Sequence, residues 1–192
     1  MTDRQEHEEL ALFETKLTAA RINRTLAFSA LFQLVHEAIK IQVLDRTKSF
    51  FGYSDLFGDG TWITGSYGRE DYSRSVLKLD ASSRFNASLQ WLLQMKAVSE
   101  EDISQLNTIY EYRHDLTHRL SKYLIDIDHE PDAQMLVDGV TILDKMSQFW
   151  TQVEIESGTF EHLGDVSVDD AVSGEMIIIQ MCVDAFLEYY DS

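Results

Sequence analysis

The chain has 192 residues, of which 44% are hydrophobic, and this composition suits one globular domain with a moderate core rather than a disordered chain. The single cysteine excludes an internal disulfide and a zinc site built from thiolates. The net charge of −17 argues against indiscriminate binding to nucleic acid, and the polar N-terminus and short apolar runs predict a cytoplasmic protein without membrane or DNA partners.

The first part of the chain carries apolar residues at steps of three and four from Leu10 to Ile41. This spacing predicts helix from about residue 2 to residue 44. The pattern fits either one long helix or two helices with a break near Asn23.

Residues 50–75 differ in composition, because they contain five of the nine glycines and seven aromatic side chains. We expect a long structured loop with a short hairpin around Trp62. Aromatic side chains stack on unpaired bases and arginines bind phosphates, so Trp62, Arg69 and Arg74 are candidate RNA-binding residues. Alternatively, Trp62 and the other aromatic residues only anchor the loop on the helices.

The rest of the chain is predicted to be mainly helical, with segments from about 80 to 96, 100 to 127, 132 to 156 and 173 to 190. Ser99 is the expected N-cap of the second segment. Three consecutive isoleucines at 177–179 are β-branched and leave a strand as an alternative within the last segment. We therefore expect an all-α bundle of about five helices, with the 50–75 loop as an insertion and residues 1–192 as a single domain.

The charge is concentrated in the C-terminal third. Residues 1–125 contain 15 Lys and Arg and 17 Asp and Glu, whereas residues 126–192 contain 1 and 16. We interpret the acidic third as a solvated surface, although it could also mask a basic site or recruit a basic partner. The nearly neutral first part leaves room for a local basic cleft.

The segment from Tyr112 to Arg119 holds the main candidate site. The apolar residues of helix 100–127, Tyr110 among them, fall on one arc that should face the core. Arg113 projects into the middle of this arc, where a guanidinium is costly unless it is paired or lines a wet groove. Arg113 is therefore either a structural partner of a carboxylate or a phosphate-binding arginine. His114 and His118 lie one turn apart at the edge of the arc and are suited to proton transfer near pH 7. The next residue, Asp115, is expected in solvent.

The arrangement Arg113-x-x-x-x-His118, with the polar His114 directly after the arginine, resembles the Arg-x(4–6)-His motif of the HEPN superfamily. Members of that superfamily are small helical bundles, and many are metal-independent ribonucleases of bacterial toxin and antiviral defence systems. The resemblance implies an endoribonuclease without a cofactor, in which His118 is the general base or acid. Arg113 would then stabilise the charge on the phosphate, and His114 would orient the site or contact phosphate.

The same resemblance implies a homodimer, because in that family two protomers bring their motifs together in one RNA-cleaving cleft. Apolar residues of the last predicted helix, such as Ile177, Ile178 and Met181, also suggest a surface that a second copy covers. An antitoxin or another protein is a further candidate partner.

Two alternatives to the ribonuclease hypothesis come from the same residues. Some HEPN members lack nuclease activity, so the chain could be a non-catalytic interaction module in which Arg113 is a structural ion pair. Glu111, His114 and His118 also share a helical face with spacing suited to a divalent cation, which would make the chain a helical-bundle metal-binding protein.

Overall fold

The computed structural model describes residues 14–52, 57–58, 61–62, 66–126, 128–159, 167–168 and 171–191. Within these residues the fold is all-α, as predicted, with a single hairpin of two-residue strands, β1 (Phe57–Gly58) and β2 (Thr61–Trp62). The α-helices are α1 (Ala19–Lys40), α2 (Arg46–Phe50), α3 (Ser66–Ser75), α4 (Arg84–Gln94), α5 (Glu100–His118), α6 (Leu120–Ile125), α7 (Ala133–Glu156) and α8 (Gly174–Asp191). No helix in these ranges is long and apolar enough to cross a membrane.

The central helix of the bundle is α1, which packs against α5, α6, α7 and α8. It begins after Thr18, whose side chain accepts a hydrogen bond from the Arg21 backbone nitrogen at 3.4 Å, and it continues without a break at Asn23. A π-helical turn, Ile41–Asp45, joins it directly to α2. Residues 14–16 are also helical, and the extended backbone of Thr18 (φ −66°, ψ 145°) separates them from α1. Of the two alternatives, the structure therefore supports two helices with a break, which lies at Leu17 and Thr18 rather than near Asn23. Residues 2–13 lie outside the described residues.

The core lies where α1, α5 and α7 meet. Gly139 of α7 allows this close packing, because a Cβ atom there would lie 3.3 Å from Val35 Cγ1 and 3.8 Å from Ile109 Cδ1. Each fully buried aliphatic side chain contributes about 1.5–3 kcal/mol through removal from water. The largest fully buried side chains of these helices are Phe32, Ile39, Ile109, Leu116, Leu143 and Met146.

The helix that carries the candidate site begins as predicted but ends early. Ser99 caps α5, and a capping box pairs its side chain and backbone with Asp102 at 3.1 and 2.9 Å. The predicted helix to residue 127 is interrupted at Arg119, where the backbone leaves the helical region (φ −123°, ψ 29°) before α6 begins. His118 is thus the last residue of α5.

The prediction of a loop over 50–75 is wrong for its second half, because residues 66–75 form α3. Tyr72 and Val76, four residues apart, are both buried, and the Tyr72 hydroxyl lies 3.3 Å from Ser88 Oγ. These two apolar positions have helical spacing that the high glycine and aromatic content obscures. The predicted hairpin is present, although its described strands lie slightly before the expected position.

The segment with three consecutive isoleucines at 177–179 is part of a helix, α8, and not a strand. Ser173 Oγ accepts a hydrogen bond from the Met176 backbone nitrogen at 3.2 Å and so caps its first turn. Ile179 is buried, whereas Ile177 and Ile178 are about half exposed. One isoleucine in three faces the core, as helical periodicity requires.

Candidate functional site

Arg113 lies where α5 packs against α1. Its Nε donates a hydrogen bond to Gln33 Oε1 at 2.9 Å, and Gln33 Nε2 donates to Thr117 Oγ1 at 2.6 Å. The Thr117 hydroxyl donates in turn to the Arg113 carbonyl at 2.8 Å. We call Gln33, Arg113 and Thr117 the arginine network. It holds the half-buried guanidinium in one orientation between the two helices.

The arginine network does not neutralise the charge of Arg113, because Gln33 is an amide. No carboxylate in the described ranges forms an ion pair with Arg113, whose hydrogen bond to Gln33 uses Nε alone. A structural ion pair between Arg113 and a carboxylate is therefore not found in the described part of the chain. The two terminal nitrogens of the guanidinium are the edge that binds phosphate or carboxylate with two hydrogen bonds.

His114 and His118 form a second group, which we call the histidine pair. Both side chains are exposed, and their ring centroids are 4.3 Å apart at an interplanar angle of 47°. No hydrogen bond within the described residues joins Arg113 to either ring. Since Arg113 and His118 differ by about 140° around a helix axis, the structure forms the arginine network and the histidine pair as neighbours rather than as one contact.

Asp115 differs from the prediction that it lies in solvent. It is half-buried, accepts a hydrogen bond from Tyr123 Oη at 2.8 Å, and forms an ion pair with Arg119 at 3.2 Å. Burial, together with the hydrogen bond to Asp115, raises the pKa of Tyr123 well above its ordinary value. Tyr123 therefore stays protonated as the donor, and Asp115 fastens α5 to α6 across the break at Arg119.

His36 of α1 also contributes to the site, in addition to the candidate residues of α5. Only 9% of its side chain is exposed, and its ring centroid lies 6.0 Å from that of Tyr110. The Nδ1 atom has no hydrogen-bond partner in the described residues and lies 3.6 Å from Glu37 Oε1. Burial and the charge of Arg113 lower the pKa of His36 from its ordinary 6.5, against the opposing effect of Glu37. Its position on the apolar arc of α1, between Val35 and Ile39, is the signal that could have identified it.

A cavity of about 450 Å³ opens beside His36, between α1, α4 and α5. We call it the His36 cavity. Its apolar walls are Ile39, Leu44, Phe85, Leu106 and Ile109. Its polar groups come from His36, Lys40, Ser83, Asn86, Asn107 and Tyr110. Tyr110 was predicted on the core face of its helix, but it is 57% exposed and lines this cavity instead.

The remaining candidate residues lie apart from Arg113. Arg69 and Arg74 are exposed on α3, and Arg74 forms an ion pair with Asp71. Neither arginine lines the His36 cavity or contacts the arginine network in the described residues. Trp62 belongs to β2, and its side chain lies outside the described residues. The RNA-binding role of these three residues stays a prediction.

The metal alternative has little geometric support. Glu111, His114 and His118 are all exposed on α5. Across the described ranges, no three His, Cys, Asp or Glu side chains are grouped so that they could hold a metal ion.

The chain was also compared with known proteins. No protein-family model matches it, and neither a curated protein nor a solved structure shows significant similarity. The candidate site therefore has to be judged from its own geometry.

Proposed function

We propose that the chain is a metal-independent endoribonuclease that uses Arg113 and the histidine pair, as its resemblance to the HEPN motif implies. The observation that carries the proposal is the neutral partner of Arg113. A half-buried guanidinium held by an amide keeps its positive charge for a ligand. The exposed imidazoles of His114 and His118 lie on another face of the same helix, so the proton-transfer group for a phosphate bound by Arg113 would come from a second copy of the chain.

In the proposed reaction, one imidazole takes the proton of a ribose 2′-hydroxyl, whose oxygen attacks the adjacent phosphorus. The bond from phosphorus to the 5′-oxygen breaks, and the leaving oxygen receives a proton from an imidazole. Arg113 stabilises the negative charge that develops on the phosphoryl oxygens. The products are a 2′,3′-cyclic phosphate and a 5′-hydroxyl, and the chemistry needs only His118, His114 and Arg113.

The proposed enzyme is a homodimer. Arg113 and His118 of one chain point in directions about 140° apart, so a second motif helix would bring the missing group to each phosphate. An apolar groove of about 520 Å³ between α1 and α8 is lined by side chains that include Leu34 and Cys182. On the same helix α8, Ile178 and Met181 are 58% and 66% exposed. Such a surface suits contact with a second copy, and it shares α1 with the arginine network.

A cleavage assay on single-stranded RNA tests the proposal. We expect His118→Ala to slow cleavage by about 100-fold or more, which is the usual contribution of a general acid or base. His129→Ala is the matched control, because His129 is also partly exposed but lies in the loop before α7 and should have no effect. Cleavage in EDTA should equal cleavage without it.

Three outcomes would count against the reaction. Binding of RNA without cleavage would favour the interaction module. Loss of cleavage in EDTA, with recovery on addition of manganese or zinc, would favour the metal site. Equal cleavage rates for His118→Ala and His129→Ala would remove the histidine pair from the mechanism.

A further inference from the structure

The His36 cavity has the features of a ligand site rather than a packing defect. It is large enough for several water molecules or a small ligand, it is mostly apolar, and a few polar groups converge on it. The His36 imidazole lies in its wall, and the Nδ1 atom is turned toward Glu37 Oε1 at 3.6 Å. The other ring nitrogen, Nε2, is therefore the one that a ligand in the cavity would use.

The chemistry of the walls favours a planar, partly polar ligand. Phe85, Tyr110 and His36 present aromatic rings, which stack on flat heterocycles. The side-chain amides of Asn86 and Asn107 each offer both donors and acceptors, as the edge of a nucleobase requires. A simple fatty acid would use the apolar walls but would make no use of the two amides, which are exposed.

The position of the cavity relative to Arg113 favours a nucleotide. Tyr110 and Asn107 precede Arg113 by three and six residues on α5, which is about 4.5 Å and 9 Å along the helix axis. His36 is also close enough to Arg113 for the guanidinium charge to affect its titration. A base in the cavity and a phosphate at Arg113 would therefore be about one nucleotide apart.

We propose that the His36 cavity binds a nucleobase of the RNA strand, next to the phosphate held by Arg113. This inference rests on the proposed function for the identity of its ligand, and it assigns base selection to α1, α4 and α5. His36, as a neutral ring, would exchange a hydrogen bond with the base. Asn107 and Asn86 would read the base edge, and Tyr110 would stack on it.

The test is a titration of the wild-type protein with the four nucleoside 5′-monophosphates and with ribose 5-phosphate. Binding is measured by calorimetry and by NMR. We expect at least one nucleotide to bind about tenfold more tightly than ribose 5-phosphate and to shift the resonances of His36 and Tyr110. Asn107→Leu should weaken binding of that nucleotide by about tenfold, because it removes hydrogen bonds to the base while keeping a side chain of similar volume. Asn23→Leu, another exposed asparagine but on the far part of α1, should bind as wild type does.

Equal binding of ribose 5-phosphate and every nucleotide would overturn the inference, and so would an Asn107→Leu variant with unchanged nucleotide affinity. Binding of octanoate in place of nucleotides would assign the cavity to an apolar ligand instead. The experiments distinguish an error in the proposed reaction from an error in the proposed base pocket. If nucleotide binding depends on Asn107 but RNA is not cleaved, only the nuclease proposal is wrong. If RNA is cleaved but nucleotide binding does not depend on Asn107, only the base-pocket proposal is wrong.

Discussion

Replacement of Gln33 by Glu is the sharpest test of the uncompensated charge on Arg113. The two side chains have nearly the same shape, so the change places a carboxylate where Gln33 Oε1 now accepts from Arg113 Nε at 2.9 Å. The variant would give Arg113 the carboxylate partner that it lacks in the described residues. The variant should therefore change the free energy of unfolding little and weaken RNA binding more.

The expected effect on stability is small. A hydrogen bond to a charged acceptor is stronger than one to a neutral acceptor by about 1 kcal/mol. The carboxylate cannot donate to Thr117 Oγ1, however, as Gln33 Nε2 does at 2.6 Å. These changes oppose each other, and exposed ion pairs contribute only about 0–1 kcal/mol. The free energy of unfolding in urea should stay within about 1 kcal/mol of wild type.

The expected effect on RNA is larger. A carboxylate at position 33 would lie roughly 7 Å from a phosphate on the far edge of the guanidinium, and at an effective dielectric constant of about 20 the repulsion is about 2 kcal/mol. That corresponds to a roughly 30-fold loss in affinity or in kcat/KM. Fluorescence anisotropy with a short labelled RNA and the cleavage assay would both measure it.

Gln33→Leu separates charge from orientation, because it removes both hydrogen bonds of Gln33 without adding a charge. It should lower the free energy of unfolding by about 1 kcal/mol and leave RNA affinity much closer to wild type than Gln33→Glu does. If the two variants weaken RNA binding equally, Gln33 acts only by orienting Arg113. If Gln33→Glu binds and cleaves RNA as wild type does, the charge of Arg113 is not used on phosphate.

Other predictions follow from burial and titration. Because the pKa of His36 is lowered from 6.5 in the folded protein, the unfolded chain takes up the proton first, so the free energy of unfolding should fall as the pH drops below about 6.5. Urea denaturation at pH 7.5 and pH 5.5 should show a smaller fall in His36→Gln, and equal falls would refute this assignment. Leu143→Ala, at a side chain with 0% exposure, should cost about 2–5 kcal/mol, and a loss below 1 kcal/mol in denaturation would mean that the core is less well packed. Light scattering should give a mass near twice 22.1 kDa that Met181→Glu reduces, whereas a monomeric wild type would remove the composite cleft.

The positions of the long helices could be predicted from sequence because their signals are local. Ser99 caps α5 and Asp132 caps α7, and the helices begin directly after them. Apolar spacing of three and four residues marked the same segments. The break at Arg119 was missed because the apolar pattern continues across it into α6, where Tyr123 is buried. Periodicity reports which face is apolar, and it does not report whether the backbone stays helical.

The candidate site was only partly predictable, because its decisive partners are remote in sequence. The motif spacing identified Arg113 and the histidine pair on α5, but Gln33 and His36 belong to α1, and Gln33 lies 80 residues before Arg113. Tyr110 fitted the apolar arc of α5 yet lines a cavity. A helical arc computed from one segment cannot show where the neighbouring helix leaves space.

The residue that faces Arg113 is more informative about function than the spacing of the motif. An arginine and a histidine five residues apart arise often by chance, and both structural and catalytic arginines can lie on an apolar arc. The two roles differ in how the charge of the arginine is balanced. A carboxylate partner neutralises this charge within the fold. The amide of Gln33 orients the guanidinium but leaves its charge available to a ligand. The charge of Arg113 also disfavours protonation of His36. Its electrostatic effect therefore already reaches the wall of the cavity that would hold the base. Phosphate binding by Arg113 would weaken that effect, and an RNA strand would thereby change the electrostatics of both parts of the proposed site at once.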